Sequence, residues 1–570
     1  MKKIYFTMAL LCATLSFAQT LPPAEQEEAR RIGEQIQWGE QRIFEEELRK
    51  RELENALRPP TDLQPKTTMP ELAAEGNCVQ ANIIEYSGNT EISSNKIDKV
   101  IADFTERCLT LDEINAILQL ITNIYIDSGY ITSRAYLTMP QERLSEGVLE
   151  IKIIEGKVSE VEGLRKSEVF MAFPKTKDRI LYLRDIEQGL DQLNRLPSNK
   201  ATMDITPDEE KENVSKIEIT NSPKGNTRLS AAFDNAGSVS TGEWRGGLKF
   251  AHDNLFRLND QINISYYKAI YDNYGQRDSD SVLVSFSVPF GYWTVTNNFS
   301  YSSNRSNTPL PVSRTSLYTI GESTSNTFSV GRLMARGQKY KISLGAGLVY
   351  KHSNSYTEVF DFTTKNEGAS RTLTVLNIEA PLTLYFNSGM AYIKPSYHRG
   401  IHLFGSLDDS DTAYTQKAQY EAYKLYAYYM RRLWLGTLNI TVDGQYSADE
   451  LYSSESFYIG GEYSVRGFKN DGGQGESGLA VRTEYSLNMG QLSSKSFLLP
   501  YTVSVFFDYG CTKPNNESYR DYHLAGAGGK LAIYYKYFEA SLTYASVLHK
   551  TNDISDNNAL YFSTEFKYAF

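Results

Sequence analysis

From Thr227 to Phe570 the chain alternates apolar and polar residues with a period of two. Tyr340, Ile342, Leu344, Ala346, Leu348 and Tyr350 are interleaved with Lys339, Lys341, Ser343, Gly345, Gly347 and Val349. Leu376, Ile378, Ala380, Leu382 and Leu384 make another apolar series, and Phe538, Ala540, Leu542 and Tyr544 a third, opposite Glu539, Ser541 and Thr543. A strand turns successive side chains to opposite faces, so each run has one apolar and one polar face. Closed on itself, such a sheet is a barrel with lipid outside and water inside. A soluble sandwich has the same period with its faces reversed. At roughly 20 residues per strand with its connection, the segment holds about 16 strands, an even number as closure requires.

Three features decide for the membrane. Residues 1–18 have the form of a signal peptide: Lys2 and Lys3, an apolar core from Ile4 to Leu15, and small residues at Ser16 and Ala18. Beyond it no run of about 18 apolar residues exists, which excludes a helical span. Tyrosine is abundant, with 40 residues, while the mean hydropathy is −0.42. Finally, the last strand carries Phe566, Tyr568 and Phe570 on its apolar face, similar to the C-terminal signal of outer-membrane barrels. The net charge of −10 argues against a nucleic-acid partner. Export permits disulfides. Cys78 and Cys108 share one small unit and are expected to pair, the alternative being two buried thiols. Cys511 is left over, as a packed or pore-side thiol.

Ahead of the barrel the chain changes character. Residues 19–57 form one segment, helical from Ala24 to Leu57, with only a thin apolar stripe through Ile32, Ile36, Ile43, Phe44 and Leu48. A helix polar nearly all round bridges solvent or lines a wet space. It is therefore either a solvated arm or a helix lodged in a water-filled pore. Residues 58–75 hold Pro59, Pro60, Pro65 and Pro70 and read as a semi-extended linker. Residues 76–155 read β-α-α-β-β, with a helix at Leu111–Ser128 ended by Gly129. Residues 156–222 repeat that order more loosely. Each unit leaves an open sheet edge, a template for an incoming strand. The barrel takes residues 223–570.

The motifs lie in two places. Phe457-x-x-Gly460-Gly461-x-x-x-Val465-Arg466-Gly467-Phe468 sits between strand runs, and Phe506-x-Asp508-x-Gly510 lies on a later strand. Guanidinium and carboxylate pair bidentately and can fix a loop at a chosen depth. In a water-filled pore such a pair is screened and worth only about 1–3 kcal/mol. These motifs resemble the barrel loop and strand motifs of two-partner secretion transporters, the TpsB or haemolysin-activator family. Gly129-Tyr130-x-Thr132-Ser133-Arg134, Met139-Pro140-Gln141, Gly147-x-Leu149 and Glu155-Gly156 resemble its first POTRA domain. Asp234-Asn235-x-Gly237 and Asp253-Asn254-Leu255 are similar to its first barrel hairpin. The resemblance covers about residues 24–570. Pro207-Asp208 departs from the family's usual Pro-Gly at the end of the second POTRA domain.

The resemblance implies two α+β POTRA domains in the periplasm, a 16-stranded barrel in the outer membrane and an N-terminal plug helix. It implies that Arg466 meets Asp508. It also implies a cargo: a secreted β-rich exoprotein of the adhesin or haemolysin type, captured by strand addition and exported without nucleotide hydrolysis. Outer-membrane lipid and the barrel-assembly machinery, which inserts the protein itself, complete the expected partners. The alternatives are a factor that inserts other barrels, an outer-membrane enzyme and a passive porin. Gly473-x-Gly475-x-x-Gly478 has dinucleotide-binding spacing, but a strand pattern follows it where a helix is required; these read as turn glycines. His398 and His402 would be about 13 Å apart on one strand, too far to share a metal. No catalytic, metal or cofactor constellation is expected.

Overall fold

The computed structural model describes residues 44–570 except 64, 66, 68–77, 271–276, 310–315, 360–361, 367–368, 412–414, 492–499, 517–519 and 553. The expected signal peptide, the first part of the N-terminal helix and most of the proline linker lie outside the described residues. What remains of the helix, α1, spans 44–56.

The first α/β unit contains β1 (Cys78–Ala81), β2 (Ile83–Ser87), α2 (Ser94–Ile101), β3 (Arg107–Thr110), α3 (Leu111–Asp127), β4 (Arg134–Leu137) and β5 (Val148–Ile154). Helix α3 starts with a capping box, in which Thr110 and Glu113 satisfy each other's backbone N–H groups. It buries Ile114, Ile117, Ile121 and Tyr125 against β5. The first strand of the expected order is split into β1 and β2, and a further strand, β3, forms a separate antiparallel pair with β1. The Cys78–Cys108 disulfide joins them, with a Cα–Cα distance of 5.3 Å. The second unit contains β6 (Lys157–Glu162), α4 (Lys166–Ala172), α5 (Leu183–Asn194), β7 (Thr202–Pro207) and β8 (Val214–Thr220). Both units have one topology. The first long strand runs parallel to the last, and the middle strand pairs antiparallel with that last strand.

The motif residues of the first unit are its internal fasteners. Gly129 takes φ +98 past the end of α3. Gln141 accepts from the Glu150 N–H at 3.0 Å and donates to the Thr138 and Glu150 carbonyls, locking the β4–β5 connection. Glu155 accepts from the Thr90 and Glu91 N–H groups and from the Tyr125 hydroxyl. Burial pushes its pKa up, but these hydrogen bonds prevail and hold it below the usual carboxylate range.

The expected closed antiparallel barrel of sixteen strands begins at Thr227–Asp234, which pairs with the terminal strand Asn558–Ala569 to close the ring. One strand is broken into the segments Phe362–Lys365, Arg371–Glu379 and Leu382–Phe386. Its second break falls at Pro381, which has no N–H to give a ladder. The apolar series face outward: Ile342, Leu344, Leu542 and Tyr544 are exposed on the outer wall. Serine, threonine and asparagine line the lumen, among them Ser285, Asn298, Ser329, Asn377 and Thr383. The strands Trp293–Pro309, Ser316–Arg336 and Tyr340–Val359 have 17, 21 and 20 residues, well beyond the roughly 10 that span a bilayer. Phe566, Tyr568 and Phe570 are exposed on the outer face of the last strand, with the Tyr568 and Phe570 rings 6.0 Å apart. Cys511 corrects the sequence reading. It falls on the outward set of its strand, alternating with the buried Gly510 and Thr512, and is half-buried there.

The two units carry one glycine each at the same place. Gly88 follows β2 at φ +92, and a Cβ there would lie 2.2 Å from the Ile153 carbonyl oxygen of β5. Gly163 follows β6 at φ +88, and its Cβ would lie 1.9 Å from the Ile219 carbonyl oxygen of β8. Neither the backbone conformation nor the space admits a side chain. Gly163→Ala should destabilise the second unit by about 1–3 kcal/mol. Limited proteolysis of the folded protein should then show faster cleavage within residues 156–222 while the barrel remains resistant.

Candidate functional site

Two elements fill the lumen, one from each end. The first is α1. Its thin apolar stripe and many charges suit a wet wall, and four of those charges, Glu47, Arg49, Arg51 and Glu52, find lumenal partners. Arg49 pairs with Asp443 at 2.9 Å. Glu52 accepts from Lys394 and from the Tyr392 hydroxyl. Ser265 donates to Glu47 at 2.7 Å and accepts from Arg51 at 3.2 Å. Tyr385 donates to the carbonyls of Ala56 and Arg58 at the end of the helix. Beside the helix is a cavity of about 680 Å³ lined by polar barrel residues. The chain then leaves along α5. Thr61 bonds Asp191, the Leu63 N–H donates to Glu187 at 3.0 Å, and Arg58 donates to the Asn194 and Arg195 carbonyls. The described start of the linker is therefore fastened to the second unit. Arg336 on the barrel wall meets the same helix through Asp191 at 3.1 Å.

The second element is the loop between the strands Gly436–Tyr446 and Ser477–Asn488, at the end away from the α/β units. Its base is a short hairpin in which Phe457–Ile459 pairs with Gly473–Gly475. This corrects the reading of Gly473 and Gly475 as turn residues: they form a strand pressed on the barrel wall. A Cβ on Gly473 would lie 2.4 Å from the Tyr522 side chain, and one on Gly475 2.8 Å from the Lys513 backbone.

Beyond the hairpin the loop dives inward. Gly460 and Gly461, at φ +123 and +83, make the bend, and the Gly461 N–H donates to the Phe468 carbonyl at 2.6 Å. Phe468, Val465 and Ile459 are fully buried with Ala480, Leu524 and Ile554. Each such side chain is worth roughly 1.5–3 kcal/mol. Gly467 turns the chain back at φ +108.

Arg466 is at the tip. Its Nε donates to Asp508 at 2.7 Å, one terminal nitrogen to Asp508 at 2.9 Å and the other to Glu484 at 2.7 Å. The Arg466 backbone N–H also donates to Asp508 at 3.1 Å. The guanidinium lies 3.5 Å from the centroid of the Phe506 ring. The side chain of Asp508 is 0% exposed and that of Arg466 4%. The screened, weakly paired arginine expected from a wet pore is not what forms: this ion pair is dry. Breaking such a pair from one side costs about 3–5 kcal/mol, because a buried charge is left alone.

The wall is shaped for this tip. Arg482, Asp508 and Gly526 are register partners on three adjacent strands, and Glu484, Phe506 and Gly528 form the next row. A Cβ on Gly526 would sit 1.9 Å from the Arg466 carbonyl oxygen, and one on Gly528 2.7 Å from the Phe506 ring. Gly510, read from the motif, is the floor under Val465 and Ile459, whose side chains come within 3 Å of where its Cβ would be. Sequence reasoning paired Arg466 with Asp508 but missed Glu484. The direct register partner of Phe506, Glu484 had only its strand alternation to mark it as lumenal. Asp556 was missed too; it accepts from the Asn470 and Asp471 N–H groups and holds the outgoing arm of the loop. Of the histidines, His398 is on a strand and bonds Ser396, whereas His402 lies past the strand's end.

Comparison with known proteins places this geometry in a family. The profile described as haemolysin secretion/activation protein ShlB/FhaC/HecB matches residues 213–532. A ShlB-type POTRA domain matches residues 79–156 and a further POTRA domain residues 151–207. The outer membrane transporter CdiB of Dickeya dadantii (strain 3937) is 30% identical over 486 residues, covering 84% of this chain and 83% of that protein. The hemolysin transporter protein ShlB of Serratia marcescens is 26% identical over 489 residues, covering 84% and 85%. The solved structure of CdiB from Escherichia coli superposes with a TM-score of 0.82 at 26% identity, over 96% of this chain and 99% of that one. The chain is an outer-membrane two-partner secretion transporter with its POTRA domains in the periplasm, and it belongs to the ShlB/FhaC/HecB family of haemolysin secretion/activation proteins.

Proposed function

We propose that the barrel is held closed by two separate stoppers and that a secreted exoprotein passes when both give way. The observation that carries this reading is the occupied lumen: α1 fills it from the periplasmic side, and the Arg466 loop fills it from the outside. The cargo is a β-rich exoprotein of the adhesin or haemolysin type. The relatives named above include a hemolysin transporter, which supports that cargo class. It arrives unfolded in the periplasm and adds a strand to an open POTRA edge, β2 or β4 in the first domain, β6 or β7 in the second. Main-chain hydrogen bonds supply affinity there, and the pockets for alternate side chains supply selectivity.

The two stoppers differ in kind. Helix α1 is held by ion pairs in a polar, water-lined lumen, each weak and separately exchangeable. It can leave by trading wall contacts for water, contact by contact. The Arg466 loop is held by a dry ion pair inside an apolar seat, which lets go as a unit or not at all. In this reading α1 is the plug and the loop the latch, with Gly460, Gly461, Val465, Arg466, Gly467 and Phe468 on the loop and Phe506, Asp508 and Gly510 on the wall. Folding of the emerging cargo outside gives direction.

Arg466→Ala should nearly abolish export while the barrel still inserts, measured as secreted cargo against barrel resistance to SDS unfolding; normal export would sink the latch. Gly526→Ala keeps every charge but fills the space of the Arg466 carbonyl, and should lower export in the same direction. If Gly526→Ala leaves export unchanged, the loop's seat is not what matters. Deleting residues 24–57 should raise ion conductance in planar bilayers, because the lumen loses its periplasmic stopper. Unchanged conductance would show that α1 does not obstruct the pore.

A further inference from the structure

Helix α4 of the second POTRA domain is fixed to the periplasmic rim of the barrel. The Gly291 N–H, in the turn after the strand Asp278–Phe290, donates to the Met171 carbonyl at 2.8 Å. Ser167 donates to the Arg257 carbonyl at 2.8 Å. Glu168 accepts from Asn254 at 2.6 Å, and its carbonyl accepts from Asn259 at 3.0 Å. Two barrel turns thus hold the helix at one height and in one orientation.

In that position the helix turns Phe170 outward. Phe170 is 62% exposed, although it is a large apolar residue on a helix whose other face is well satisfied. Its ring lies 5.5 Å from that of Phe290, and the Phe256 ring, in the neighbouring turn, lies 6.0 Å from that of Phe286. Phe286 and Phe290 alternate with the lumenal Ser285 and Ser287, so they stand on the lipid-facing wall. Phe170 and Phe256, 59% exposed, therefore continue the lipid-facing surface of the barrel beyond its last strand residue. Exposed cations flank these aromatics in the chain: Arg165 and Lys166 at the start of α4, Lys175 and Lys177 after it, and Arg257 beside Phe256. Aromatics at the acyl boundary with lysine and arginine at headgroup level form the signature of an interfacial anchor.

We propose that this face of the second POTRA domain is seated in the periplasmic leaflet of the outer membrane, with Phe170 and Phe256 among the acyl chains and the cations on phospholipid headgroups. The occupant is phospholipid because the patch is continuous with a wall that already faces lipid, and because the exposed residues flanking it in the chain are basic. The seat makes the membrane a third partner of α4, after the two barrel turns. It fixes the POTRA pair at a set tilt below the pore.

The test places p-benzoylphenylalanine at Phe170, at Phe256 and, for comparison, at Tyr136, a half-exposed aromatic on β4 of the first POTRA domain. The full-length protein is reconstituted in nanodiscs of phosphatidylethanolamine and phosphatidylglycerol, irradiated and analysed by mass spectrometry. Lipid adducts at 170 and 256 should exceed those at 136 by roughly tenfold. Replacing phosphatidylglycerol with phosphatidylcholine should reduce the adducts at both positions. Adducts at 170 no higher than at 136 would overturn the proposal. A crosslink from 170 to protein, without lipid adducts, would overturn it in favour of a protein partner on this face.

Discussion

Burying a guanidinium and a carboxylate together is costly, and the structure around the pore shows what makes it affordable. The Arg466 side chain has hydrogen bonds to two carboxylates and an aromatic ring under its plane. Asp508 accepts from two side-chain nitrogens and one backbone N–H of the same residue. Such complete satisfaction is the condition under which a dry ion pair stabilises a fold. It depends on features that look unrelated in the chain: the glycine turns that aim the loop, the glycines on the wall that admit its backbone, and the apolar cluster of Ile459, Val465 and Phe468 that excludes water. The loop is therefore positioned as a unit.

The contrast with α1 follows from the solvent each element meets. A lumen of serine, threonine, asparagine and scattered charge gives a helix many equivalent hydrogen-bond partners and no dry interior. Ion pairs such as Arg49–Asp443 and Lys394–Glu52 are distributed along the helix, so no single one of them holds it. A polar helix in a polar channel is well seated yet exchangeable; an apolar plug would be insoluble once withdrawn. In the proposed reading the same channel passes an unfolded chain, and a wall without large apolar patches gives such a chain little to adhere to.

Between the pore and the periplasm, the second POTRA domain is the common attachment point of the linker and the barrel. Helix α5 holds the start of the linker through Asp191 and Glu187 and meets Arg336 and Lys341 on the barrel wall with the same Asp191. Helix α4 is bound to the barrel turns. Any movement of α1 thus begins from a fixed point shared by barrel and periplasmic domain. The first POTRA domain, with its own core and disulfide, extends from that base with both edges of its three-stranded sheet open.

The barrel, its approximate strand number, the polar nature of the N-terminal helix and the two-unit periplasmic part are all legible in the chain before it folds. These are encoded in local periodicity, which the alternation of strand faces and the 3.6-residue helix turn translate directly into structure. The sequence also marked Arg466 and Asp508, through motif resemblance. What those residues experience is set by contacts between distant segments. Whether the pair is wet or dry depends on Val465 and Phe468 on the loop and on Gly526 and Ala480 on the wall, segments brought together by barrel closure. Glu484 was invisible for the same reason: its partner is 18 residues away in the chain but adjacent only once three strands are in register. The placement of Cys511 on the outer wall and the strand formed by Gly473–Gly475 were likewise settled by register and by close backbone approach. A one-residue change in register reverses every face, and no local pattern in a glycine-rich stretch reports what it will touch.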